Sequence, residues 1–165
     1  MTDPASSPAE SARPDEPAAR VRATLEELLA RLEIEGIVEV REDEERIEAE
    51  ISGPELGLLI GRRGQTIDAI QLLCFQIAFR GLRERKHVSV DAAGYRERRR
   101  EQLERTAGAA ASRARETGHE VELEPMTASE RKAVHRFLSE QTGIETFSQG
   151  EDPHRVLVVA PLIAG

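Results

Sequence analysis

At 165 residues the chain has room for one ordinary domain or two small ones, and its 39% hydrophobic content allows only a modest core beside 33% charged residues. No apolar run approaches the ~18 residues of a membrane span, the N-terminus lacks the apolar centre of a signal peptide, and the single Cys74 excludes an internal disulfide or a cysteine-based zinc cluster. The net charge of -8 argues against a polyanionic partner, but residues 56–116 alone carry +6 between acidic flanks of -10 and -4, and a local patch matters more than the total. A soluble, cytoplasmic chain with a reduced thiol is expected.

Residues 1–19 read as a disordered leader, with Pro4, Pro8, Pro14 and Pro17 among Ala, Ser and acidic residues. Val21, Leu25, Leu28, Leu29 and Leu32 then recur at helical spacing, and Gly36 is the expected C-cap. Ile37–Arg41 and Arg46–Ile51 predict a β-hairpin around the acidic, solvated turn Glu42–Glu45. A short helix over Glu55–Ile60, a glycine turn and a longer helix from Gln65 to about Phe79 follow. Ile67, Ile70, Leu73, Cys74 and Ile77 form the apolar stripe of that longer helix. His87–Asp91 is the next strand.

A second unit begins near Gly94. Tyr95–Thr117 predicts a long helix with an arginine-dense first half, and Glu120–Leu123 a strand. Thr127 and Glu130 form a capping box for a helix reaching about Thr142. Two strands, Ile144–Ser148 and Arg155–Ala160, close the chain around a turn at Gly150–Pro153. The fold class is therefore α+β in two small domains, α-β-β-α-α-β over residues 20–92 and α-β-α-β-β over residues 93–165.

The turn Ile60-Gly61-Arg62-Arg63-Gly64-Gln65-Thr66-Ile67 carries the most chemistry. Two glycines let the backbone turn tightly and let a partner come close. The turn leads into a helix N-terminus, whose free N–H groups and dipole favour an anion. Arg62 and Arg63 add two planar forks suited to phosphate. By itself the pattern is equally compatible with two glycines that cap helices beside solvated arginines.

In its α-β-β-α-α-β setting the turn resembles the GxxG loop of a KH domain of the second topological type. That resemblance implies a groove between the two flanking helices and an adjacent strand, binding a nucleic-acid backbone. Gly61 and Gly64 would allow the approach, Arg62 and Arg63 would face phosphates beside Gln65, and Ile60, Ile67 and Ile51 would form an aliphatic floor for unpaired bases. Aromatic residues make up only 3% of the chain, which disfavours a binder that stacks bases on exposed rings.

On the later helix Arg131 and His135 stand at i and i+4, on one face and close enough to grasp one phosphate. Lys132 and Arg136 lie beside them, and Ala133, Val134, Phe137 and Leu138 supply the apolar contacts to the sheet. The Arg-x-x-x-His pattern in an α-β-α-β-β unit resembles the R-3-H domain, which implies that Arg131, Lys132 and His135 contact a phosphate backbone. Both domains in tandem resemble the bacterial Jag (SpoIIIJ-associated) family over about residues 20–165, here without the N-terminal Jag domain of many members. The resemblance implies a single-stranded RNA-binding protein acting after transcription in cell elongation, division or envelope growth. It also implies a small single-KH-domain partner or self-association.

The residues leave two other readings open: an adaptor whose KH fold serves dimerisation, and a single-stranded DNA binder. Arg96, Arg99, Arg100 and Arg105 either extend a phosphate track or pair with Glu97, Glu101 and Glu104 on an ordinary solvated helix. No catalytic residues, metal ligands or cofactor are expected. His87, His119, His135 and His154 lack ligand spacing, Cys74 falls on an apolar stripe, and GRRGQT lacks the lysine of a nucleotide-binding P-loop.

Overall fold

A computed structural model describes residues 16–151 and 154–162. The chain divides into two compact units, Met1–Tyr95 and Arg96–Gly165, and each holds one three-stranded sheet.

In the first unit, α1 (Pro17–Arg31) starts on a proline, whose fixed φ suits the first helical position and whose missing N–H is not needed there. Pro17, Ala18 and Ala19 therefore belong to the helix and not to the expected leader, of which residues 1–15 lie outside the described residues. The C-cap also differs from expectation. Leu32 caps α1, Glu33 takes the left-handed conformation (φ 55°), and the Ile34 N–H donates to the Leu29 carbonyl at 3.0 Å. That is a Schellman closure made without glycine, so Gly36 has no part in it.

Strands β1 (Ile37–Glu42) and β2 (Arg46–Ser52) form the antiparallel hairpin, with Val38 opposite Ile51. The Asp43 carboxylate ties its turn by accepting the N–H groups of Glu45 and Arg46, both at 2.8 Å. Strand β3 (His87–Ala92) joins parallel to β2, giving the order β1-β2-β3. Parallel strands need a crossover, and α2 (Gly57–Ile60), a turn over Arg62–Gly64 and α3 (Gln65–Ala78) supply it. Helix α2 is thus one turn, shorter than the expected Glu55–Ile60.

Val38, Ile47, Ala49, Ile51, Val88 and Val90 point from the sheet into a core closed by α1 and α3. Helix α3 buries Ile67, Ile70, Cys74 and Ala78. The expected stripe is one position out at its far end, since Leu73 is 47% exposed and Ile77 only half-buried. Spacing of 3, 4 and 4 follows the true 3.6-residue period, and Leu73 falls off that line.

Helix α4 (Tyr95–Thr117) starts on the last residue of the first unit and continues through the second, where it buries Leu103, Ala107, Ala110, Ala111 and Ala114. Strands β4 (Val121–Glu122), β5 (Ile144–Gln149) and β6 (Val156–Pro161) form an antiparallel sheet in the order β4-β6-β5. Helix α5 (Ala128–Ser139) packs Val134 and Leu138 onto the core with Leu157 and Val159. It ends at Ser139, short of the expected Thr142. Of its other expected core residues, Phe137 is half-buried and Ala133 exposed.

Candidate nucleic-acid interface

The GRRG turn is built by left-handed backbone. Gly61 has φ 69° with ψ -177°, Arg63 φ 53° and Gly64 φ 76°. Gly61 occupies a region open essentially to glycine alone. A Cβ there would overlap Thr66, and one on Gly64 would lie 2.7 Å from Cε1 of Tyr95. The space that glycine leaves is therefore filled from within the chain at both positions, whereas the sequence suggested room for a ligand.

What the turn offers outward is charge. Arg62 is exposed and Arg63 half-buried, and neither guanidinium has a hydrogen-bond or ion-pair partner among the described residues. Gly64 is the N-cap of α3 with no side-chain cap, so the first N–H groups of that helix are unclaimed by side chains at the same place. Gln65 and Thr66 are exposed beside them, and Ile60 is half-buried. The expected aliphatic floor is different: Ile67 is 0% exposed and Ile51 is also in the core, so both brace the turn from beneath. The large apolar side chains that α2 and α3 do expose are Leu58, Leu72 and Leu73. Leu72 stands outside the stripe expected for the longer helix, and Leu58 lies in the short one, for which the sequence set no buried face.

On α5, Arg131 and His135 do come to one place. They line a pocket of about 420 Å³ with Lys132, Thr146, Ser148 and Arg155. Their exposure differs sharply, because Arg131 is 7% exposed and donates from Nη1 to the Met126 carbonyl at 2.8 Å. Its role includes tying down the start of its own helix. Lys132 and His135 are exposed. His135 Nδ1 makes a short hydrogen bond with the Thr146 hydroxyl, which sets the ring against β5. Arg136, placed beside this group by sequence, does not line the pocket, since i+5 points off that face. Arg155 is the residue that sequence reasoning missed. It lies just before β6, and only the sheet pairing carries it to α5.

The arginine-dense start of α4 is largely self-neutralised. Arg100 pairs with Glu97 and with Glu104 (3.1 Å), and Arg105 lies 3.9 Å from Glu101. The hydrogen bond from Arg100 holds the Glu97 carboxyl below its usual range. Arg99, with a side chain only 10% exposed, turns inward to Glu124 and Glu130, both at 2.8 Å. Among the described residues there is no group of three potential metal ligands, and no helix is long and apolar enough to cross a membrane.

The two units match two known families. Residues 19–91 match the KhpA/KhpB KH domain, and residues 101–161 match the R-3-H domain. Curated relatives include the "RNA-binding protein KhpB" of Bacillus subtilis, 38% identical over 125 residues, which are 74% of this chain and 60% of that protein. The protein of the same name from Clostridium symbiosum is 36% identical over 123 residues, 74% of this chain and 55% of that one. That of Lactiplantibacillus plantarum is 42% identical over 104 residues, 63% of this chain and 32% of that one. The chain thus spans from about a third to three fifths of the length of these relatives. With both domains matched in order, the chain belongs to the Jag/KhpB family, which joins a KH domain to an R-3-H domain.

Proposed function

We propose that this protein binds single-stranded RNA through two phosphate-gripping surfaces, one on each unit. The carrying observation is that Arg62 and Arg63 lie beside an uncapped helix N-terminus without partners among the described residues, while the arginines of α4 with assigned ion pairs are spent on their own glutamates. Charge left unpaired at an N-terminus serves an anion from outside. Lys132, His135 and Arg155, with Arg131 beneath them, offer the second grip. In the first unit Arg62, Arg63 and Gln65 make the phosphate contact around the Gly61–Gly64 turn, Ile67 supports it, and Ile60 with exposed Leu58 and Leu72 provides aliphatic contact to bases. The name carried by the relatives supports RNA as the ligand. Family membership supports a cytoplasmic, non-enzymatic role after transcription in cell elongation, division or envelope growth.

Binding of a labelled single-stranded RNA, followed by anisotropy across a salt series, tests this. Replacing Arg62 and Arg63 together by Ala should weaken binding and lower the slope of log K against log salt by about 0.7 per lost contact. Unchanged affinity would remove the loop from the interface. A second reading rests on the exposed Leu58 of α2 and Leu72 and Leu73 of α3: these helices dock a protein, either a small single-KH protein or a second copy. Partners that persist in pull-downs after nuclease treatment favour it, and competition with matched DNA oligomers distinguishes RNA from single-stranded DNA.

A further inference from the structure

The Arg99 guanidinium divides its donors between two acids. Nε donates to Oε1 of Glu130 and Nη1 to Oε1 of Glu124, each at 2.8 Å. Glu130 is itself shared, because its other oxygen, Oε2, accepts the Thr127 N–H at 2.8 Å while its own N–H donates to the Thr127 hydroxyl at 3.3 Å. That exchange is the capping box of α5. The next residue, Arg131, holds the Met126 carbonyl. The connection from β4 into α5 is thus tied at Glu124, Met126, Thr127 and Glu130, and two of those ties run to Arg99.

These bonds set the first turn of the helix that presents Lys132 and His135. We propose that Arg99 is a positioning residue for the α5 phosphate grip: through Glu124 and Glu130 it fixes the start of the helix and so the placement of Lys132 and His135. This rests on the reading of α5 as a phosphate-binding edge. Burial works against the charge of Arg99, but Glu130 and Glu124 outweigh it and hold its pKa above the ordinary arginine value. Arg99 Nη2 is buried with no partner. A contact serving stability alone gains little from a buried ion pair with an orphaned N–H, since apolar replacements of such pairs are often neutral or stabilising. Directional bonds to two carboxylates suit the fixing of an orientation.

The test uses the full chain, a fluorescein-labelled oligo-uridine and the variants Arg99→Ala, Arg99→Lys and Lys132→Ala. Lysine keeps the charge but lacks the fork that reaches both acids. Both Arg99 variants should bind about tenfold more weakly with the salt slope of the parent, because the complex that forms still carries the Lys132 contact and only the fraction of chains holding the start of α5 in place falls, and the His135 ring resonances should shift. Lys132→Ala should lower the slope instead. A lowered slope in Arg99→Lys or Arg99→Ala would make Arg99 a direct phosphate contact and overturn the proposal. Parental affinity with unmoved His135 resonances would overturn it too, leaving Arg99 as a structural brace. If Lys132→Ala alters neither affinity nor slope, the α5 reading itself fails, which separates the two outcomes. Where Arg99→Ala does not fold, Arg99→Lys decides between them.

Discussion

At Gly61 an added Cβ would meet Thr66 on a backbone with φ 69° and ψ -177°, so an alanine there suffers both overlap and strain. Gly61→Ala should lower stability by about 2 kcal/mol or more, measured by urea unfolding, and its effect on RNA binding would mix folding with contact. Arg63 separates them. Its φ of 53° costs a non-glycine residue about 1 kcal/mol, roughly what glycine loses through a freer unfolded chain. Arg63→Gly should therefore keep its stability within about 1 kcal/mol while weakening RNA binding, a split visible by running unfolding and anisotropy on one sample.

Cys74 sits on the apolar face of α3. It is fully buried, and desolvation pushes its thiol up from 9.0 to about 11. Between those values the unfolded chain releases a proton that the folded chain keeps, so stability falls as pH rises from 9.0 towards 11. The contribution is about 1.4 kcal/mol per pH unit and should be absent from the slope of Cys74→Ala in denaturant titrations. Equal slopes would contradict a thiol held neutral by burial.

Among the elements, α5 carries a local capping signal at the start of the helix that holds the proposed second grip. The Thr127–Glu130 box was readable because its four-residue spacing is covalent, and the structure contains both of its bonds. Thr127→Ala should cost about 1 kcal/mol of stability by thermal unfolding, with far-UV helicity largely kept. The end of α1 was not readable. Gly36 is the residue that statistics favour, yet Glu33 takes the left-handed position because the chain must leave for β1 there. Leu73 was misplaced for a related reason: a periodicity count of two near-equal stripes cannot say which one faces the sheet.

Over the whole molecule, the basic centre of the sequence overstates the charge offered to a ligand. Arg99, Arg100 and Arg105 lie within it but face their own glutamates, whereas Arg62 and Arg63 remain unpaired among the described residues. The two proposed grips on one chain would gain by effective concentration. An RNA long enough to reach both should bind about 100-fold or more tightly than one that fills either alone. Disabling either Arg62 with Arg63, or Lys132, should abolish most of that advantage. A length series with each variant checks this, and a length effect that survives both changes would argue against two grips.

The element order, the GRRG turn, the capping box and the shared face of Arg131 and His135 were determined by the sequence alone. All depend on backbone propensity and on residues a few positions apart, and such geometry is set by covalent spacing. Tertiary structure decided which of those residues face outward. Thr66 and Tyr95 fill the space beside the glycines, Ile67 goes into the core, Arg131 bonds to Met126, Arg99 turns to Glu124 and Glu130, and Arg155 arrives beside His135. Each of these outcomes depends on what packs around a side chain in three dimensions, and burial of an apolar or charged group is a property of its neighbours in space.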